Sequence, residues 1–275
     1  MAVAISDIGK EVRSILYGAK DGVFQYDQKL SYSTRTADGV QLVLNAIRKD
    51  EKADLSLRTV YNYGNYGLNA TFTTSDKVHV LASVDKIAPG VKVSLSATLP
   101  DKESGKLLVD YINQHVHLKT SVGMTTQPKV TLSAASGYKN LVFGGEVAYS
   151  TEKSAVSNYG LALGLHAGDS QLAVHLQDKL ETLKFMAAHN VSKDKMLAAE
   201  ITRPVAGGDV TFHLGIARRM ENGALLKTKV DHKGTLSALY EQRLATGERF
   251  VLSTQLDTLN IGGKAPKVGF ALDLA

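Results

Sequence analysis

In 275 residues with a mean hydropathy of −0.08, no stretch approaches the ~18 apolar residues that a membrane-spanning helix needs. There is no cysteine, which removes disulfide frameworks and thiolate chemistry. The net charge is +5, from 32 basic and 27 acidic residues spread evenly, without the basic clusters of a nucleic-acid binder.

The first residues, MAVAISDIGKEVRS, carry no apolar signal-peptide core. Ile5, Ile8, Val12, Ile15, Leu16 and Ala19 recur by threes and fours. They fall within an arc of about 100°, the stripe of an amphipathic helix. Lys10, Arg13, Ser14, Tyr17 and Lys20 take the opposite side. Ser6 or Asp7 is the expected N-cap, and Gly18 and Gly22 the expected hinge. An ordinary surface helix on a sheet has the same periodicity. Asp7 and Glu11 argue against a mitochondrial transit peptide.

From about residue 24 the period changes to two. Val78, Val80, Ala82 and Val84 alternate with Lys77, His79, Ser83 and Asp85. Val91, Val93, Leu95, Ala97 and Leu99 alternate with Lys92, Ser94, Ser96 and Thr98. The pattern recurs at Val116–Met124, Leu141–Tyr149, Tyr159–Leu165, Val210–Ile216 and Phe250–Leu256. Glu146 and Glu200 sit mid-strand on the polar parity, and the facing of Lys184 is ambiguous. Assignments around 181–206 and 223–243 are the least secure. Eighteen turn signals punctuate the chain, among them Ala37-Asp38-Gly39, Ala88-Pro89-Gly90, Gly137 and Glu221-Asn222-Gly223, hence nineteen strands. The residues after position 24 number 275 − 24 = 251, about 13 per strand. A tilted membrane strand of ~9–11 residues plus a short turn has that length.

One soluble sheet also alternates, but many apolar faces with no long helices to cover them need another cover. A bilayer around a closed, water-filled barrel covers all of them at once. The expected fold is therefore all-β: one transmembrane β-barrel of about 19 strands, with residues 1–22 as the helix segment and 23–275 as the barrel of a single domain.

Catalytic signatures are missing: there are no paired carboxylates, no nucleophile elbow and no P-loop. The glycines four apart in 160–168 lie inside a strand pattern, where they admit close packing. His115-x-His117 falls on one strand face without an evident third metal ligand, which favours wetted wall residues.

The chain resembles the voltage-dependent anion channels, the eukaryotic porin family. Asp7-Ile8-Gly9-Lys10-Glu11-Val12-Arg13 is similar to the family's N-terminal motif. Tyr66-Gly67-Leu68, the turn at Asp76 and Pro89-Gly90-Val91-Lys92 follow in the family's order. Gly262-Gly263-Lys264 resembles its last turn, and Lys267, Gly269, Leu272 and Leu274 resemble its strand-type sorting signal. Nineteen is also this family's strand number. The resemblance implies a barrel closed by parallel first and last strands, with the helix inside the pore, and Val142, Gly144 and Ala148 could receive its stripe. It also implies a possible nucleotide contact at Lys92. Phe72 stands where some members carry a lipid-facing glutamate, so that glutamate's roles are not transferred.

The implied function is a voltage-gated, weakly anion-selective diffusion pore of the mitochondrial outer membrane, with plastid envelopes a further possibility. It is not an enzyme and needs no cofactor or metal. Its cargo would be nucleotides such as ATP and ADP, phosphate, organic acids and small ions. Membrane lipid would be its solvent, while homo-oligomers and docking of cytosolic kinases would add to the channel role. By parity, Lys10, Arg13, Lys20, Lys29, Arg58, Lys92, Lys119 and Lys129 are the expected pore-lining cations. The rival readings are a soluble all-β lipid-binding or scaffold protein and a related outer-membrane protein-import barrel.

Overall fold

The structure, a computed structural model, describes residues 3–18, 24, 26–49, 52–260 and 265–274. The strands are β1 (Gln28–Arg35), β2 (Gln41–Lys49), β3 (Lys52–Tyr63), β4 (Tyr66–Thr73), β5 (Val78–Ala88), β6 (Val91–Leu99), β7 (Lys106–Ile112), β8 (Val116–Gly123), β9 (Lys129–Tyr138) and β10 (Leu141–Ser150). The second half continues with β11 (Ala155–Ala167), β12 (Ser170–Gln177), β13 (Thr182–Ser192), β14 (Lys195–Pro204), β15 (Thr211–Arg219), β16 (Leu225–Asp231), β17 (Thr235–Arg243), β18 (Arg249–Asp257) and β19 (Lys267–Leu274).

Each strand pairs antiparallel with the next, and all nineteen form one sheet. An up-and-down meander with an odd strand number brings its first and last strands to the seam in the same direction. β1 and β19 accordingly pair parallel, from Gln28↔Phe270 to Tyr32↔Leu274. The sheet thereby loses both edges, which hydrocarbon requires because it cannot hydrogen-bond a free N–H or C=O.

Cross-strand partners share a face, so the ladder registers carry facing around the whole ring. Ser31, Asn45, Ser56, Thr73, Ser121, Ser133 and Ser253 lie on one side of it. Every Asp and Glu within the described strands falls on this inward parity, Glu146 and Glu200 included. The outward parity carries Leu44, Leu57, Phe143, Leu163, Leu214 and Leu252, all exposed large apolar side chains. Its regular positions hold charge only near strand ends, at Arg48, Lys195, Arg203 and Arg218. A soluble protein would not expose so continuous an apolar belt.

The expected turns fall between the strands with one exception. Gly137 lies inside β9, and the turn is at Lys139-Asn140, where Lys139 takes φ 52°. Glycine suggested the turn, but here the chain bends at a lysine in the left-handed region instead. His115 precedes β8 and so does not share a strand with His117, contrary to the sequence reading. Phe72 points outward from β4 as expected. The expected turns at Lys49-Asp50-Glu51 and Gly262–Pro266 lie mostly outside the described residues.

Replacing outward Leu57 by Arg should cost about 2–4 kcal/mol, while inward Ser56→Arg should cost far less. Equilibrium unfolding from lipid vesicles measures both.

Candidate functional site

The N-terminal segment is broken into three pieces. Ile5–Asp7 form a 3-10 turn, Lys10–Arg13 an α-helix (α1) and Ser14–Gly18 a π-helical turn. Gly9 separates the first two at φ 74°, where a residue with Cβ would be strained. Neither Ser6 nor Asp7 caps α1. Gly9 holds the N-cap position without a side-chain bond, and Asp7 pairs with Lys10 at 3.3 Å instead. Gly22 and Ala19 lie outside the described residues.

The apolar stripe lies against the inner wall. Ile8, Val12, Ile15 and Leu16 are buried, clustered with Val142, Ala162, Ala173, Met186, Ala188 and Ala198. Removing each of those four from water contributes about 1.5–3 kcal/mol, so burial outweighs any single polar contact here. The wall is built from small residues, which let the segment approach closely. A Cβ on Gly215 would stand 2.7 Å from Leu16 Cδ2 and 3.2 Å from Ile15 Cγ2. Of the three receivers expected on β10, Val142 belongs to this cluster, Ala148 does not, and a Cβ on Gly144 would meet Ala134 and Ala135 rather than the segment. The centre of the contact is displaced toward β11–β15.

Polar contacts fix the segment's position. His175 Nε2 lies 3.1 Å from the Ile8 carbonyl and donates to it, since a carbonyl only accepts. Lys227 Nζ donates to the Ser14 carbonyl at 2.7 Å. Tyr17 Oη donates to Glu200 Oε1 at 2.6 Å, and Lys184 Nζ stands 3.4 Å from the same oxygen. Glu200 is 2% exposed, so this arrangement balances a carboxylate removed from bulk water. Burial, then the Glu200 carboxylate, pushes the Tyr17 phenol pKa well above its usual value. The sequence reading put Tyr17 on the water side. The i→i+5 turn at Ser14–Gly18 is wider than an α-turn and rotates it to the wall. Lys229 Nζ sits over the Tyr17 ring at 5.1 Å and the Phe24 ring at 5.0 Å. Phe24 packs with Leu239 and Val251, and nearby Arg249 bonds both Glu241 and Asp273.

The expected lumen cations fall as follows. Lys29, Arg58, Lys92, Lys119 and Lys129 all have inward parity. Arg58 Nε donates to Asn69 Oδ1 at 3.1 Å. Lys92 is bound by Asp85 at 2.9 Å, and Lys119 lies opposite Asp110 in register. Lys10 is largely exposed on the lumen side of the segment. Arg13 donates through Nη2 to the Ser6 carbonyl and borders a recess of about 340 Å³ shared with Glu146 and His175. Lys20 lies outside the described residues.

A family model described as eukaryotic porin matches residues 2–269. The chain belongs to the eukaryotic porin family. It is similar to "Mitochondrial outer membrane protein porin 5" of Oryza sativa subsp. japonica, 29% identical over 98% of this chain and 96% of the relative. "Mitochondrial outer membrane protein porin 4" of Arabidopsis thaliana is 27% identical with the same coverage. The 36 kDa mitochondrial outer membrane porin of Solanum tuberosum is also 27% identical, again covering 98% and 96%. This eukaryotic porin is accordingly a channel protein and not an enzyme, and its barrel is a pore of the mitochondrial outer membrane.

In the porin's last strand, the expected sorting residues divide by face. Lys267 and Gly269 turn inward, and Leu272 and Leu274 outward. Sequence reasoning placed Glu200 on the polar parity but missed its partners. Tyr17 meets it only through the packing of a segment more than 150 residues away in sequence, while Lys184 reaches it across the β13–β14 ladder.

Gly215→Val should lift the N-terminal segment from the wall. A spin label at position 10 should then show markedly faster motion than in the parent; unchanged mobility would contradict the close approach.

Proposed function

We propose that this porin is a weakly anion-selective, voltage-dependent diffusion pore for nucleotides, phosphate, organic acids and small ions. The supporting observation is the sign of the wall. At inward strand positions Lys and Arg outnumber Asp and Glu, sixteen to nine. In a confined aqueous passage such an excess raises the local anion concentration without any tight binding site.

The cations do not contribute equally. Asp85 offsets Lys92 by direct contact, while Asp110, opposite Lys119 in register, stands 3.8 Å from His117 instead. Lys29, Arg58, Lys119 and Lys129 have no ion-pair partner among the described residues, so each carries more of the field than Lys92. A nucleotide phosphate at Lys92 would have to displace Asp85. Voltage dependence follows from moving charge across the membrane field, about 2.3 kcal/mol per elementary charge per 100 mV. The N-terminal segment carries Asp7, Lys10, Glu11 and Arg13, which nearly cancel. Voltage sensing is therefore assigned to the lysines and arginines of the wall together with any segment motion. Docking of cytosolic kinases and association into homo-oligomers are further roles within this reading.

In planar bilayers under a salt gradient, the reversal potential should show anion preference. Charge reversal at Lys129 alone should shift it toward cations by more than charge reversal at Lys92 alone. Equal shifts, or none, would contradict the assignment. Lys10→Glu with Arg13→Glu should also reduce anion preference.

A further inference from the structure

The outward face of β12–β17 carries a groove of about 550 Å³. Its floor is low because Ala187, Ala199 and Thr228 are small, and Leu197, Leu214 and Ile216 form the raised walls. A larger groove, about 650 Å³ across β8–β12, has no charged lining residue. The β12–β17 groove differs in what lies beyond its end. Lys195 and Arg218 stand directly opposite each other on β14 and β15, both outward. They border an adjoining pocket of about 640 Å³ with Asp194, Glu221 and Arg219, the last of inward parity.

Like charges directly opposed across a ladder are destabilising. Among the described residues, neither Lys195 nor Arg218 makes an ion pair. An anionic group between them would remove the repulsion. The position is right for a headgroup. From Lys195 to Arg203, the outward cation near the other end of β14, a tilted strand covers about 20 Å of membrane depth. The two cations therefore mark opposite borders of the apolar belt.

Chemistry changes in steps along the groove. Small and branched apolar side chains come first. His189, paired in register with Leu197, follows at the border, with its Nδ1 2.8 Å from Ser170 Oγ. Lys195 and Arg218 come next. Asp194 and Glu221 sit beyond them, in the turns that leave the membrane. A phospholipid with a primary amine beyond its phosphate has the complementary order: acyl chains, ester, phosphate, and an ammonium whose N–H groups donate to the two carboxylates, as a quaternary choline cannot. A second negative charge in place of the ammonium would meet the two carboxylates.

We propose that this groove is a bound-lipid site for phosphatidylethanolamine. Its phosphate lies between Lys195 and Arg218, its ammonium faces Asp194 and Glu221, and an acyl chain fills the floor over Ala187 and Ala199.

The test uses the full chain in phosphatidylcholine nanodiscs with a minor fraction of phosphatidylethanolamine bearing a photoactivatable acyl chain. Labelling mapped by mass spectrometry should concentrate on β13–β15. Lys195→Glu with Arg218→Glu should reduce it roughly tenfold, equivalent to about 1.4 kcal/mol. Arg203→Glu, at the opposite border of the same strand, should leave it unchanged, and so should Lys195→Arg. Unlabelled phosphatidylethanolamine should compete better than phosphatidylglycerol, and Asp194→Asn with Glu221→Gln should erase that preference. Circular dichroism in the same nanodiscs checks folding. Should the double variant fail to fold, Arg218→Gln alone carries the comparison. Labelling spread evenly around the barrel, or insensitive to these cations, would mean ordinary annular lipid and overturn the proposal. So would phosphatidylglycerol competing equally well with the parent chain.

Discussion

A backbone amide in hydrocarbon has no partner except another backbone group. Every large-scale feature of this porin follows from that constraint. It demands a sheet without edges, and nineteen strands closed by β1 against β19 provide one. Closure in turn fixes facing. Once the ring is shut, each side chain belongs either to lipid or to water, and the registers leave no strand free to slip. A one-residue slip would bring Glu146 or Glu200 into the acyl layer.

The lumen is not uniform around the ring. β11–β15 present Ala162, Ala173, Ala188, Ala198 and Gly215, a run of small residues along the inner wall. That patch is where the apolar stripe lies against the inner wall. Burial of Ile8, Val12, Ile15 and Leu16 holds the segment there, while His175, Lys227 and Glu200 set its position along and around the wall. Apolar packing supplies the strength and the polar contacts supply the register. The passage is consequently narrowed from one side, and open solvent borders the opposite wall, where Arg58 sits.

Much of this was legible in the sequence because a membrane barrel writes itself in period two. Leu42, Leu44 and Ala46, or Leu161, Leu163 and Leu165, declare the lipid side without any tertiary knowledge. The strand number followed from turn residues, and the single displaced turn, at Lys139, bends where glycine was expected. The helix was legible as a stripe but not in its details. A 3-10 turn, an α-turn and a π-turn share an apolar side, and only contact with Met186, Ala173 and Gly215 decides where each one breaks. Tyr17 was misplaced for that reason. The charge pairs were illegible for another: Asp85–Lys92 depends on hairpin register, and Tyr17–Glu200 joins residues 183 positions apart.

The seam has a kinetic meaning. Every other strand can pair with its neighbour in sequence as soon as both exist, but Gln28 must find Phe270. The longest-range contact of the molecule is also the one that abolishes its last open edge. A partly assembled chain is thus a curved sheet with two sticky borders, exposed until the final hydrogen bonds form. The C-terminal strand is the latch, since the last border closes only when it pairs with β1.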